Sequence, residues 1–228
     1  MKFIFFMLIL GSLFVGGCQS SIEKKIWENV AEIRQFVVCG ESEECFATLM
    51  CGLREVDYKI DGYANDLIDF GVITIVFNED GLKSQQAEFV LFVGTKKYSG
   101  ELVKNPFDNT LVADIKEIVD QSQNISLEIY IDNTKISSLK LRDVGSEWQI
   151  KYEDCVDILL NNYKAQVKSF VNNGKFEGEV YLKIMNDYEL SVKDFYYYVS
   201  IVGRTGGSIS MIVCPETGNV LASNCTIT

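Results

Sequence analysis

Apolar residues fill positions 3–15 almost without a break, after the single charge of Lys2, and the small pair Gly16-Gly17 follows. A charged start, an apolar centre and a small-residue cut predict a secretory signal peptide over 1–17. The run is shorter than the about 20 apolar residues that cross a bilayer. Beyond it the pattern becomes periodic. Ser20-Ser21-Ile22-Glu23 has the form of a capping box. Ile22, Ile26, Val30, Ile33 and Val37 then recur at helical spacing. This predicts a helix that Gly40 ends, and a second short helix over 43–53 behind Ser42. From about residue 54 the period shifts toward two. Strands are predicted at 72–77 and 88–93, as partners across the turn at Asn78 to Gly81, and at 125–131 and 135–141 around a turn at 132–134. The stretch 94–124, around Pro106, holds one or two further strands. A helix follows over 152–172, with Cys155, Ile158, Leu159, Tyr163, Val167 and Phe170 on one face. Four strands close the chain, at 179–185, 195–202, 208–214 and 219–227.

Helices followed by runs of strands, twice over, predict an α+β fold with helices packed on antiparallel sheets. The expected organisation is a signal peptide at 1–17, a helical segment at 18–54, a β-rich region at 55–150 and a helix plus four-stranded sheet at 151–228.

Composition narrows the function. Apolar residues make up 47% of the chain and only two prolines occur, which implies a packed globular protein without a Pro-rich linker. The net charge of −11 repels phosphate backbones and excludes nucleic acid as a partner. It also disfavours a basic patch as the means of membrane attachment. The chain has no histidine, so Ser-His-Asp and Cys-His catalysis cannot be assembled. The commonest metal ligand is missing as well. Carboxylates are abundant, but no spacing nominates a catalytic pair. No catalytic residue, metal or cofactor is expected.

The tail Val15-Gly16-Gly17-Cys18 resembles the lipobox of prokaryotic lipoproteins, with Val15 where Leu is usual. The resemblance implies cleavage before Cys18, a lipid on its sulfur, and a place on the cell-envelope membrane; without the lipid the chain would be secreted. A second resemblance covers about 153–228. The helix, the strand of Tyr196-Tyr197-Tyr198-Val199-Ser200-Ile201 and the turn Pro215-Glu216-Thr217-Gly218 before Asn219-Val220-Leu221 are similar to a PepSY-type module, or more loosely a cystatin-like one. Cys214 stands near the place of an expected Asp, and the strand at 179–185 is extra. That family implies a binding or regulatory module with no catalytic residues to carry over.

Six cysteines remain beyond Cys18: Cys39, Cys45, Cys51, Cys155, Cys214 and Cys225. An even number in an exported chain predicts three disulfides. Three lie on each side of residue 100, so full pairing needs at least one bridge between the two groups. Cys39 with Cys45 or Cys51, and Cys155 with Cys214 or Cys225, are the expected partners. Thiolates spaced like Cys39, Cys45 and Cys51 do not match zinc sites.

Phe195-Tyr196-Tyr197-Tyr198 is the conspicuous aromatic run. In a strand Phe195 and Tyr197 share the packed face and Tyr196 and Tyr198 the other, where they offer a surface for a peptide, protein or small solute. The expected role is therefore a non-catalytic, lipid-anchored envelope protein that binds or regulates. A structural or assembly lipoprotein presenting a strand edge is the alternative, and a carboxylate-dependent hydrolase a more distant one. Binding requires an exposed aromatic patch or a concavity, and hydrolysis two facing carboxylates in a cleft.

Overall fold

The helical spacing that starts at Ser20 ends at Trp27. In the computed structural model, which describes residues 20–57, 61, 63–78, 86–108, 110–187 and 191–227, helix α1 covers Ser20–Trp27 and strand β1 covers Val30–Glu41. The signal peptide and the lipobox with Cys18 lie outside the described residues, as does the turn at 79–81. The helix expected through Val37 is corrected to a strand. Its register shifts at Val30/Glu32 and again at Arg34/Phe36. A bulge adds a residue to the period of two, so Val30, Ile33 and Val37 fall three and four apart, as on a helix. The second expected helix is strand β2, Cys45–Glu55, buried along most of its length on both faces. Such a strand carries an unbroken apolar run that periodicity cannot separate from a buried helix.

Six more strands complete a ring: β3 Leu67–Phe77, β4 Ala87–Val93, β5 Lys96–Lys104, β6 Leu111–Ile115, β7 Ile125–Ile131 and β8 Thr134–Asp143. Their order is β1-β2-β3-β6-β5-β4-β7-β8, and β8 returns to β1 at Val38 opposite Asp143 and Cys39 opposite Arg142. All eight pairings are antiparallel, which makes a closed barrel. The strands near 72–77 and 88–93 are not partners, because β3 lies between β2 and β6 and β4 between β5 and β7. The hairpin between β7 and β8 forms as its sequence predicts. Asp132 and Asn133 turn with φ of 47° and 64°, the left-handed pair of a tight hairpin. Inward residues such as Leu49, Ile73, Leu91, Leu127 and Ile129 are fully buried and fill the barrel.

After β8 a single 3-10 turn at Gly145–Glu147 leads into helix α2, Asp154–Ser169. A small hairpin follows, β9 Val171–Asn172 and β10 Lys175–Phe176, and then β11 Gly178–Asp187, β12 Ser191–Gly203, β13 Ser208–Val213 and β14 Val220–Thr226. β11 to β14 form an antiparallel run. β11 also pairs parallel with the start of β1, Val30 opposite Val180 and Ile33 opposite Leu182. One edge of β1 therefore serves the helix-backed sheet first and the barrel afterwards. The α+β expectation of helices packed on antiparallel sheets is corrected: the chain is mostly β, with a closed eight-stranded barrel, and α2 covers one face of its extension.

The two cores meet along the β1–β2 ribbon. Cys51 and Leu53 are two apart on β2 and so share a side, yet Cys51 packs inside the barrel and Leu53 against the helix-side core. The ribbon passes from one core to the other at Gly52, opposite Arg34 at the second bulge.

Candidate functional site

The fork in β1 opens a cleft of about 560 Å³ between the barrel and the helix-backed sheet, a size typical of small-ligand sites. Four segments build it. Gln35 and Phe36 come from β1 at the bulge, and Ile118 to Gln121 from the β6–β7 connection, where Val119 is buried in the barrel core. Trp148, Lys151 and Tyr152 come from the link into α2, and Tyr197 from β12. Trp148 packs edge-on against Tyr197, with ring centroids 5.5 Å apart, and against Phe195 at 6.2 Å. Tyr197 reaches the carbonyl of Ile150 at 3.4 Å. Burial pushes the Tyr152 hydroxyl up to about 12, with hydrogen bonding to Glu153 adding to the rise. Burial also raises Tyr197. Both phenols therefore keep their protons and serve as neutral donors. Asp120, Asp143 and Glu153 outnumber Lys151 around the rim. Coulomb repulsion there disfavours an anionic ligand.

Tyr196 and Tyr198 lie where strand alternation puts them, half-buried on the face away from the core that takes Phe195 and Tyr197. Tyr196 stands opposite Met185, and Tyr198 opposite Ile212. Met185 and Ile212 are 42% and 37% exposed. The cleft is a separate feature and, Tyr197 apart, is built from residues that the sequence does not single out. The available signal was Trp148, one of two tryptophans in the chain, placed in an irregular connection.

The expected disulfides do not form, and all six described cysteines are free thiols. Cys39 lies opposite Thr48 and packs with the helix-side core, whereas Cys45 and Cys51 point into the barrel. The pairing of Cys39 with either is therefore blocked by the sheet. Cys45 and Cys51 are themselves about 20 Å apart along β2. Cys225 lies opposite Ile209, which puts it about 16 Å from Cys214 along the ladder. Cys155, in the first turn of α2, is fully buried, the Cys214 thiol faces the Glu216 carboxylate at 3.0 Å and Cys225 is exposed. Burial pushes the thiol of Cys51 up to about 11 and that of Cys155 to about 12. Both remain protonated and act as small apolar side chains.

Two carboxylates do approach each other. Glu55, at the end of β2, and Glu179, on β11, are 2% and 0% exposed. The Asn65 amide donates to Glu55 at 2.6 Å, and the Asp61 amide to Glu179 at 2.7 Å. The Tyr181 hydroxyl also donates to Glu179. The second oxygen of Glu55 is buried and has no hydrogen-bond partner among the described residues. Burial raises the Glu55 pKa, the Asn65 amide opposes the rise, and Glu179 and Asp61 add to it. Closed to solvent, the pair offers no face to a sugar. What it does is hold the backbone amides of Asp61 and Asn65. A carboxyl raised on folding stabilises most below its unfolded pKa and loses that contribution as pH rises through the folded one. Glu55→Gln is therefore expected to raise stability at neutral pH by about 1 kcal/mol, with the gain vanishing in acid. Urea melts at both pH values check this.

Among the described residues, no group of three or more Cys, Asp or Glu side chains is placed to hold a metal ion. No described helix is long and apolar enough to cross a membrane. Comparison with protein families, with curated proteins and with solved structures finds no match to the chain.

Proposed function

We propose that the protein is a non-catalytic binding protein of the cell envelope, attached through a lipid on Cys18, that takes a small, neutral or cationic solute with one flat face into the cleft at the barrel–sheet fork. The observation that supports this reading is the convergence of Trp148, Tyr152, Tyr197 and Phe36 with Gln35 and Gln121 around one concavity. Aromatic faces give a ligand area without charge, and amides and neutral phenols give direction. The Tyr196/Tyr198 face is a second, flatter surface that suits a peptide or protein.

Titration with neutral monosaccharides and with small amines tests the cleft. In a Trp27→Phe background Trp148 is the only tryptophan, and excitation beyond the tyrosine band reads it alone. Its fluorescence is expected to change saturably with one of these classes. Trp148→Ala, followed by calorimetry, and Gln121→Ala on the exposed rim should each weaken binding about tenfold, while Tyr196→Ala should leave it unchanged. Silence of Trp148 toward both classes, or binding that survives both cleft substitutions, would remove the proposal. Attachment is read separately. The mature N-terminus should carry a diacylglyceryl mass on Cys18, and Cys18→Ser should move the protein out of the membrane fraction.

A further inference from the structure

The twelve-stranded sheet closes on itself at one end, where β8 returns to β1, and stops at the other in β14. Among the described residues β14 pairs with β13 alone. One row of its amides and carbonyls thus faces no described strand. Sheets that must stay single protect such an edge with charge, proline or a covering element. Residues 217–228 contain no charged side chain and no proline. Leu221, beside the bulge between Ile212 and Val213, is 55% exposed. The occupant follows from charge. With a net charge of −11, two copies repel wherever their acidic faces approach. Along β14 they meet without opposing charges.

We propose that two copies of the chain pair antiparallel through β14, centred on Ser223. That is the midpoint of Val220–Thr226 and the register in which the whole strand is paired. Ala222 of each copy then faces Asn224 of the other, and Leu221 faces Cys225. The helix-backed sheets join into one continuous sheet, and the Tyr198–Ile212–Ala222 row of each copy comes beside that of its mate. The strand offers seven residues a side, against the about 20–30 of a standard stable interface, so the dimer is a weak one that dissociates on dilution. The inference is independent of the cleft.

Sedimentation equilibrium of the protein in one detergent, over a wide range of concentration, tests it with two variants that alter the same two positions. Ala222 and Asn224 lie on the face away from the Tyr163–Ser223 hydrogen bond, 2.6 Å long, so both variants leave that bond in place. The double variant A222E/N224E sets two pairs of carboxylates directly opposite each other and is expected to weaken the dimer at least tenfold. A222E/N224K sets opposite charges there and should restore dimerisation to near the parent value. Like and unlike charges across a strand pair act in these opposite directions. A parent protein that stays monomeric at every concentration overturns the proposal. So does association that both variants leave alike, since a fold defect would affect them equally and the register would be wrong.

Discussion

Gly52→Ala is expected to cost at least about 3 kcal/mol of stability and to loosen the barrel from the sheet. A Cβ at Gly52 would stand 1.8 Å from the carbonyl oxygen of Ile33 and 2.9 Å from the Cα of Arg34. Both are backbone atoms of β1, and no rotamer change removes them. Relief requires β1 and β2 to separate at the Arg34/Phe36 bulge, where the ribbon leaves one core for the other. Glycine within a strand marks such a close backbone approach. Gly71 on β3 supplies the comparison. Its added Cβ would lie 2.6 Å from Ile115 Cγ1 and 3.0 Å from Cys51 Sγ, both side-chain atoms that can shift. Gly71→Ala should therefore cost only about 1–2 kcal/mol. Urea unfolding followed by near-ultraviolet circular dichroism measures both. A Gly52→Ala midpoint equal to that of the parent would contradict the ribbon geometry.

The same bulge explains why the fold was only partly legible in the sequence. Where local rules act alone they succeed. The Asp132-Asn133 turn joins β7 and β8, and the apolar stripe from Cys155 to Phe170 marks α2. Phe195 and Tyr197 part from Tyr196 and Tyr198 as alternation requires. Local rules fail at β1, whose two bulges imitate a helical period, and at β2, whose two-sided burial erases any period. Barrel closure joins Val38 to Asp143, a contact that neither segment announces. The cleft shares this origin. Its walls come from residues 35–36, 118–121, 143–153 and 197, brought together by the closure and by the parallel pairing of β1 with β11. The disulfide expectation failed for a related reason. Counting thiols cannot show that Cys45 and Cys51 face the interior of a barrel while Cys39 faces outward.

Glu32→Gln is expected to lower stability by about 3 kcal/mol at neutral pH, and the loss is expected to shrink as the solution is acidified. Glu32 is 6% exposed on β1. Its carboxylate takes the Arg34 Nε at 2.9 Å and the Lys183 Nζ at 2.6 Å. Arg34 also donates to the Ile184 carbonyl at 3.1 Å, so this charge cluster joins β1 to β11 at the parallel seam. Removing the central anion leaves two partly buried cations facing each other, the costly way to break a buried pair. Burial alone would raise the Glu32 pKa, but Arg34 and Lys183 together outweigh it and hold the carboxyl below its ordinary value. A carboxyl depressed on folding contributes stability above its unfolded pKa and loses it as pH falls through the folded one. A protonated Glu32 is electrically equivalent to Gln. The parent and Glu32→Gln unfolding curves should therefore converge below the ordinary carboxylate range and separate as pH rises toward neutrality. Glu55→Gln should show the reverse order at neutral pH, the variant being the more stable. A Glu32→Gln deficit that stays constant with pH would mean that packing, and not the charge cluster, holds the helix-backed sheet to the barrel.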